Sequence, residues 1–209
     1  KYIVLSTIRC ILLYILYNIG LIVLLEIVIF LLFDLSLVED EEALGGNLKV
    51  KMSKYKLLRS VMFTPADKLK ILNKAWNNKA LDAMVIDMED AVAATDEAKS
   101  IARANVVEFL AQPTGKSNPS RAVRINCPHS TPWGAKDLEE LQPLLPPAMI
   151  LPKAEDVSLI SDVAKSLDKS TELWVMIETA KGVQNVDKIA EIDNVQCLVF
   201  GSNDFSKDI

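Results

Sequence analysis

VQCLVFGSNDFSKDI, residues 195–209, starts as a short run of Val, Leu and Phe and stops abruptly at Gly201, Ser202, Asn203 and Asp204. LWVMIETAKG, residues 173–182, does the same and breaks at Glu178 and Thr179. Apolar runs of this length, with no alternation of polar residues, suit strands buried on both faces of a parallel sheet. In such folds chemistry collects just past the carboxyl ends of the strands. Glu178 and Asp204 therefore stand one helix apart where two carboxylates could hold one hard divalent cation.

Outward from these two stretches the chain alternates strand and helix. Residues 58–64 (LRSVMFT) read as a first strand closed by Pro65, and Asp67 as the cap of a helix to about Asn77 with Leu69, Leu72 and Trp76 inward. Residues 83–88 (AMVIDM) form a second strand, and Thr95 opens a helix to about Leu110. After a Pro/Gly/Ser loop come a third strand at 121–126 (RAVRIN) and a short helix at 135–141. The fourth strand is 148–153 (AMILPK), with a helix at 156–167. The fifth is 173–179 with a helix at 183–192, and the sixth is 195–201. Strict alternation implies parallel strands and right-handed crossovers. No glycine-rich dinucleotide fingerprint and no P-loop follows any strand. The expected fold is a TIM (β/α)8 barrel, which needs eight strands, so the pattern reads as a barrel truncated after its sixth.

The first 51 residues differ in kind. Residues 11–33 are almost wholly apolar, broken by Asn18, Gly20 and Glu26, and long enough to cross a bilayer as a helix. Two readings stand: a transmembrane anchor, or leader sequence preceding a working start at Met52, the first methionine. Residues 38–46, acidic and then Gly-Gly, read as a linker to the globular part at 52–209. The net charge of −5 over 209 residues excludes a nucleic-acid footprint. Three scattered cysteines make neither a disulfide framework nor a zinc site, so reduced structural thiols are expected.

At the strand ends the chain delivers Asp87, Glu89 and Asp90, then Arg124 and Asn126, Lys153 and Glu155, Glu178, and finally Asn203 and Asp204. Oxygen donors without His or Cys beside them suit Mg2+ rather than zinc. The competing reading is that Glu178 and Asp204 cap helices or pair with Lys153 and Arg124. Arg124, in an otherwise apolar strand, could fork onto a carboxylate or enolate oxygen, or serve as a buried partner of Asp87 or Glu89. His129, the one histidine, reads as a solvated loop residue, and Trp76, Trp133 and Trp174 as packing.

RSVMFTPAD, AMVIDMEDAV, VRIN, ILPKAE, IETAKG and LVFGSNDFSKD, in this order and spacing, resemble the HpcH/HpaI aldolase/citrate lyase family, and within it the citrate lyase beta-subunit-like proteins with citramalyl-CoA and malyl-CoA lyases. The resemblance covers residues 56–209 and implies Mg2+-dependent cleavage or formation of a C–C bond in a 3-hydroxyacyl thioester or 2-hydroxy acid. It implies Glu178 and Asp204 as metal ligands and Arg124 as the group that binds the substrate carboxylate or carbonyl. Phe63 would line the substrate site, and Lys70 and Lys74 would meet the CoA phosphates. Glu89 and Asp90 resemble residues that orient metal-bound water.

The implied chemistry is a retro-Claisen or retro-aldol reaction in which Mg2+ and Arg124 stabilise an enolate. A C-terminal Asp implicated in the lyases would lie beyond Ile209, so residues 52–209 alone are expected to lack lyase activity. Two alternatives are a class II aldolase acting on free 2-oxo acids and a truncated, non-catalytic homologue, membrane-tethered if residues 11–33 are a genuine span. The resemblance further implies a homotrimer or larger homo-oligomer. The expected compartment is the cytoplasm or mitochondrial matrix, with membrane anchoring if residues 11–33 form a genuine span.

Overall fold

The computed structural model describes residues 58–209, so the span at 11–33 and the linker at 38–46 lie outside the described residues. Among the described residues no helix is long and apolar enough to cross a membrane. Among the described residues six strands form one sheet: β1 (Val61–Pro65), β2 (Ala83–Asp87), β3 (Ser120–Arg124), β4 (Ala148–Leu151), β5 (Glu172–Ile177) and β6 (Val195–Phe200). They lie in the order of the chain, and every neighbouring pair is parallel. No strand is skipped and the order never reverses, which is the wall of a TIM-type barrel rather than a doubly wound sheet.

Between the strands run α1 (Leu69–Trp76), α2 (Asp96–Leu110), α3 (Gly134–Leu141), α4 (Val157–Ser166), α5 (Ala180–Gln184) and α6 (Val186–Ala190), and α7 (Ser202–Asp208) comes after β6. Each long helix is amphipathic: α1 buries Leu72, Ala75 and Trp76, and α4 buries Ile160, Val163 and Ala164. Trp76 meets Phe109 of α2 edge to face at 5.6 Å.

Alternation along the strands separates two buried faces. Val85, Ala122, Ala148, Ile150, Trp174 and Met176 form one cluster, with Cys197 and Val199 packed against it. No helical residue belongs to that cluster, so this face looks away from the helices. Met84, Ile86, Val123, Met149, Leu173 and Val175 are buried on the opposite face. In the strand register Phe63 pairs with Val85 and Asp87 pairs with Arg124. Phe63, Asp87 and Arg124 therefore continue the helix-free face toward the carboxyl end of the sheet.

Several expected boundaries move for local reasons. β1 begins at Val61 rather than 58, because the Asp82 carboxylate accepts the N–H groups of Arg59 (2.7 Å) and Ser60 (3.1 Å). Asp67 does not cap α1. It pairs with Lys68 Nζ at 2.7 Å, and the N-cap position falls on Lys68 without a side-chain hydrogen bond. Thr95 does cap its helix, accepting from Ala98 N at 3.2 Å. The helix expected at 183–192 begins at Ala180 and splits at Asn185, whose side-chain amide is drawn off to the Glu155 carbonyl at 2.9 Å. β6 is not buried on both faces. Last in the sheet order among the described residues, it is mostly half-buried, with Phe200 exposed.

Candidate functional site

Two residues past Val85, Ala122 and Met176 on the helix-free face come Asp87, Arg124 and Glu178, so the apolar cluster and these polar groups share one side of the sheet. Arg124 is 7% exposed and forks onto Asp87 through Nε to Oδ1 (2.8 Å) and Nη2 to Oδ2 (2.5 Å). Its Nη1 lies 3.0 Å from Glu89 Oε2 and 3.6 Å from Met176 Sδ. Glu89 Oε2 nonetheless has no hydrogen-bond partner among the described residues. The guanidinium lies over the Phe63 ring at 5.0 Å. Burial works against its charge, but the Asp87 hydrogen bonds and surrounding carboxylates outweigh this, and Arg124 titrates above the ordinary arginine value. The buried-partner reading of Arg124 holds for both Asp87 and Glu89. Its Nη1 arm keeps a thioether, a weak acceptor, as its hydrogen-bond partner.

Glu178 follows β5 and is 2% exposed. Its Oε1 accepts the Lys153 backbone N–H at 2.7 Å. A Cβ built on Gly201 would stand 2.5 Å from Glu178 Oε2 and 2.7 Å from its Cβ, so a glycine here is what lets β6 pass the carboxylate. Burial pushes the Glu178 carboxyl above the ordinary range, and the neighbouring Asp204 charge adds to this against the pull of Lys153 and Arg124. Asp204, in the first turn of α7, pairs with Lys207 at 2.6 Å, and that bond holds it below the ordinary range. The Lys153 ammonium meets Glu89 in a very short contact and lies 3.6 Å from Asp90. Burial lifts the Glu89 carboxyl despite Lys153 and Arg124.

A cleft of about 620 Å³ opens over the carboxyl ends of β4, β5 and β6, and Glu178, Asp204, Lys153 and Lys207 all line it. Among the described residues no group of three or more carboxylate, imidazole or thiol side chains is assembled around a metal position. Two carboxylates are what a hard, hydrated cation takes from protein. The donors present fit one: both are oxygen, Glu178 has one oxygen engaged by an N–H, and its charge is disfavoured as it stands.

The structure brings together Phe63, Asp87, Glu89 and Arg124 in one cluster, and Glu178, Asp204 and Lys153 in the cleft, with Lys153 joining the two through Glu89. It does not bring in Lys70 and Lys74, which are exposed on α1 and do not line the cleft. His129 is exposed as expected, and its loop forms part of the cleft wall. Asn126 is committed elsewhere, donating to Asp137 Oδ2 at 2.7 Å.

Sequence reasoning missed Lys99. It is 3% exposed on α2 and donates to the carbonyls of Met88 and Glu89, both at 2.7 Å, pinning the loop that carries Glu89. It also missed the Arg103–Asp137 pair at 2.7 Å, which ties α2 to α3. Charged residues spaced like any solvated helix face gave no signal for either.

The profile of the HpcH/HpaI aldolase/citrate lyase family matches residues 59–209. A (3S)-malyl-CoA thioesterase of Cereibacter sphaeroides is 34% identical over 151 residues, 72% of this chain and 51% of that protein. A citrate lyase subunit beta-like protein of Deinococcus radiodurans is 37% identical over 158 residues, 73% of this chain and 54% of its own. The crystal structure of the CitE protein of Mycobacterium tuberculosis, in complex with magnesium, acetoacetate and coenzyme A, superposes with a TM-score of 0.57 at 28% identity, covering 71% of this chain and 50% of that one. The chain spans about half the length of the curated relatives it matches.

Proposed function

Because the chain belongs to the HpcH/HpaI aldolase/citrate lyase family, we propose that this protein is a Mg2+-dependent carbon–carbon lyase acting on a 3-hydroxyacyl-CoA such as malyl-CoA or citramalyl-CoA. The observation that carries this reading is the buried Glu178 carboxylate, set against Gly201 and facing the same cleft as Asp204, with no cationic side chain in ion-pair distance among the described residues. Glu178 and Asp204 would hold the ion, which when bound supplies Lewis-acid stabilisation of charge on substrate oxygen.

The chain's own residues do the remainder. Asp87 fixes the guanidinium of Arg124 through two parallel hydrogen bonds, so its orientation is set before substrate arrives. The Nη1 arm exchanges the Met176 thioether for a carbonyl or carboxylate oxygen and holds that oxygen as negative charge grows on it. The Phe63 ring, 38% exposed, walls the same side. In the cleavage direction the hydroxyl proton leaves and the C–C bond breaks. Its electron pair passes into the thioester enolate, and protonation at carbon releases the shorter acyl-CoA beside a 2-oxo acid. Lys70 and Lys74, one turn apart and exposed on α1, are the proposed contacts for CoA phosphates. Glu89 and Asp90 would orient water at the ion.

A second reading, thioester hydrolysis, is favoured by the relative named as a (3S)-malyl-CoA thioesterase. Incubating the native protein with malyl-CoA and citramalyl-CoA, with Mg2+ or with EDTA, separates the two by product. The lyase yields a 2-oxo acid and a shorter acyl-CoA, and only with Mg2+. Free CoA with the intact hydroxy acid would replace the lyase reading by the hydrolase. No turnover of either thioester, with cleavage of a free hydroxy acid, would replace it by a class II aldolase.

A further inference from the structure

Among the described residues three non-glycine residues have positive φ, and one of them, Lys153 at φ 49, stands in the cleft. An L residue pays for left-handed backbone by roughly five- to thirtyfold in population, and such outliers persist only where their surroundings hold them. Here the surroundings are visible. The backbone N–H of Lys153 leaves the strand ladder and donates to Glu178 Oε1 at 2.7 Å, while the next residue, Ala154, returns to the Met176 carbonyl at 3.4 Å. The ammonium swings the other way to Glu89 and Asp90. One residue thus bridges the carboxylates after β2 and the carboxylate after β5.

We propose that Lys153 is a positioning residue for the metal site: its left-handed backbone, anchored by the ammonium on Glu89 and Asp90, aims its N–H at Glu178 and leaves only Oε2 for the cation. This rests on Glu178 being a metal ligand. The anchoring is needed because the ammonium contacts offset the backbone penalty. Remove the ammonium but keep a Cβ, and the turn relaxes and takes the N–H off Glu178. Remove both, and the turn keeps its shape without the anchor, because glycine adopts left-handed backbone freely.

The test is calorimetric titration of the native protein and its Lys153 variants with magnesium alone, alongside Glu178→Gln. Lys153→Arg and Lys153→Gly are expected to bind Mg2+ within about threefold of native, and Lys153→Ala about tenfold more weakly. A structural role in folding alone would not order glycine above alanine in metal affinity. Native affinity in the alanine variant overturns the proposal, and so does a glycine variant tenfold weaker than native, which stands as a test even if the alanine variant fails to fold. If the native protein takes up no Mg2+ that Glu178→Gln abolishes, the metal reading itself falls and this proposal with it. If the native protein binds and the alanine variant binds equally, only the role of Lys153 falls.

Discussion

Gly201→Ala is the sharpest perturbation available at this site, because its backbone is permissive and its surroundings are not. Gly201 has φ −93 and ψ 80, on the negative-φ side that L residues use, so the dominant effect is steric. The added methyl would meet Glu178 Oε2 at 2.5 Å, Glu178 Cβ at 2.7 Å and Met176 Cε at 3.3 Å. Reaching ordinary contact requires a movement of roughly 1 Å between β6 and the end of β5, and overpacking of that kind costs about 1–3 kcal/mol. For a chain of this size, Tm should fall by about 2–4 °C for each kcal/mol. The same movement displaces the proposed ligand, and a 1 Å misplacement at a working site costs on the order of 10²-fold. Thermal unfolding with and without Mg2+ reads both effects. In a Glu178→Gly background the two shortest contacts disappear, and the same alanine should cost less than about 0.5 kcal/mol. A Gly201→Ala protein with native Tm and native response to Mg2+ would refute the geometry from which this is argued.

Three other expectations are independent of that one. Asp137 is fully buried and accepts from Arg103 (2.7 Å) and from the Asn126 backbone (2.9 Å), so Asp137→Ala leaves the buried guanidinium with only the half-exposed Glu140 at 3.7 Å and should cost about 3 kcal/mol in urea unfolding; an unchanged midpoint would contradict it. Burial, helped by Glu172, pushes the Cys197 thiol up to about 11, so between pH 9 and 11 the unfolded chain releases this proton while the folded chain keeps it, and stability falls as pH rises through that window. Alkylation of Cys197 at pH 8 should accordingly run about 10²-fold slower than for a free thiol, and equal rates would be decisive against it. Reversing Lys70 and Lys74 to Glu should raise KM for a CoA thioester while sparing a free hydroxy acid; an equal effect on both would separate α1 from CoA.

Much of the fold was legible because buried parallel strands leave a strong trace. AMVID, AMIL and ELWVMI are each buried at every position, and such runs can be little else between helical segments. The site was legible where parity carries it: Asp87, Arg124 and Glu178 continue the helix-free face of their strands. What escaped depends on tertiary neighbours. Nothing in PKAE announces that Lys153 turns left-handed, since the cause is two acceptors from other strands. Lys99 is buried because the Met88 and Glu89 carbonyls and the Trp133 ring converge on it.

The charges at this end of the sheet single out one residue. Asp87 has Arg124, Asp204 has Lys207, and Glu89 has Lys153. Asp90, 53% exposed at its side chain, shares the Lys153 ammonium at 3.6 Å. Glu178 alone of the five is buried with no cation within ion-pair distance among the described residues, and its carboxyl is displaced upward by burial. A raised folded pKa means that the folded state holds the proton more tightly than the unfolded chain does, so this carboxyl subtracts from stability as pH rises through its folded value. Glu178→Gln keeps the shape and removes the charge. In EDTA at neutral pH it should therefore unfold at or above the native Tm, and the difference should shrink as the pH falls and native Glu178 takes up its proton. With Mg2+ the order should reverse, because the native protein gains RT ln(1 + [Mg2+]/Kd) and the variant does not. A variant less stable than native in EDTA would mean that the charge of Glu178 is already satisfied from within the protein, and the physical ground for a cation beside it would be gone.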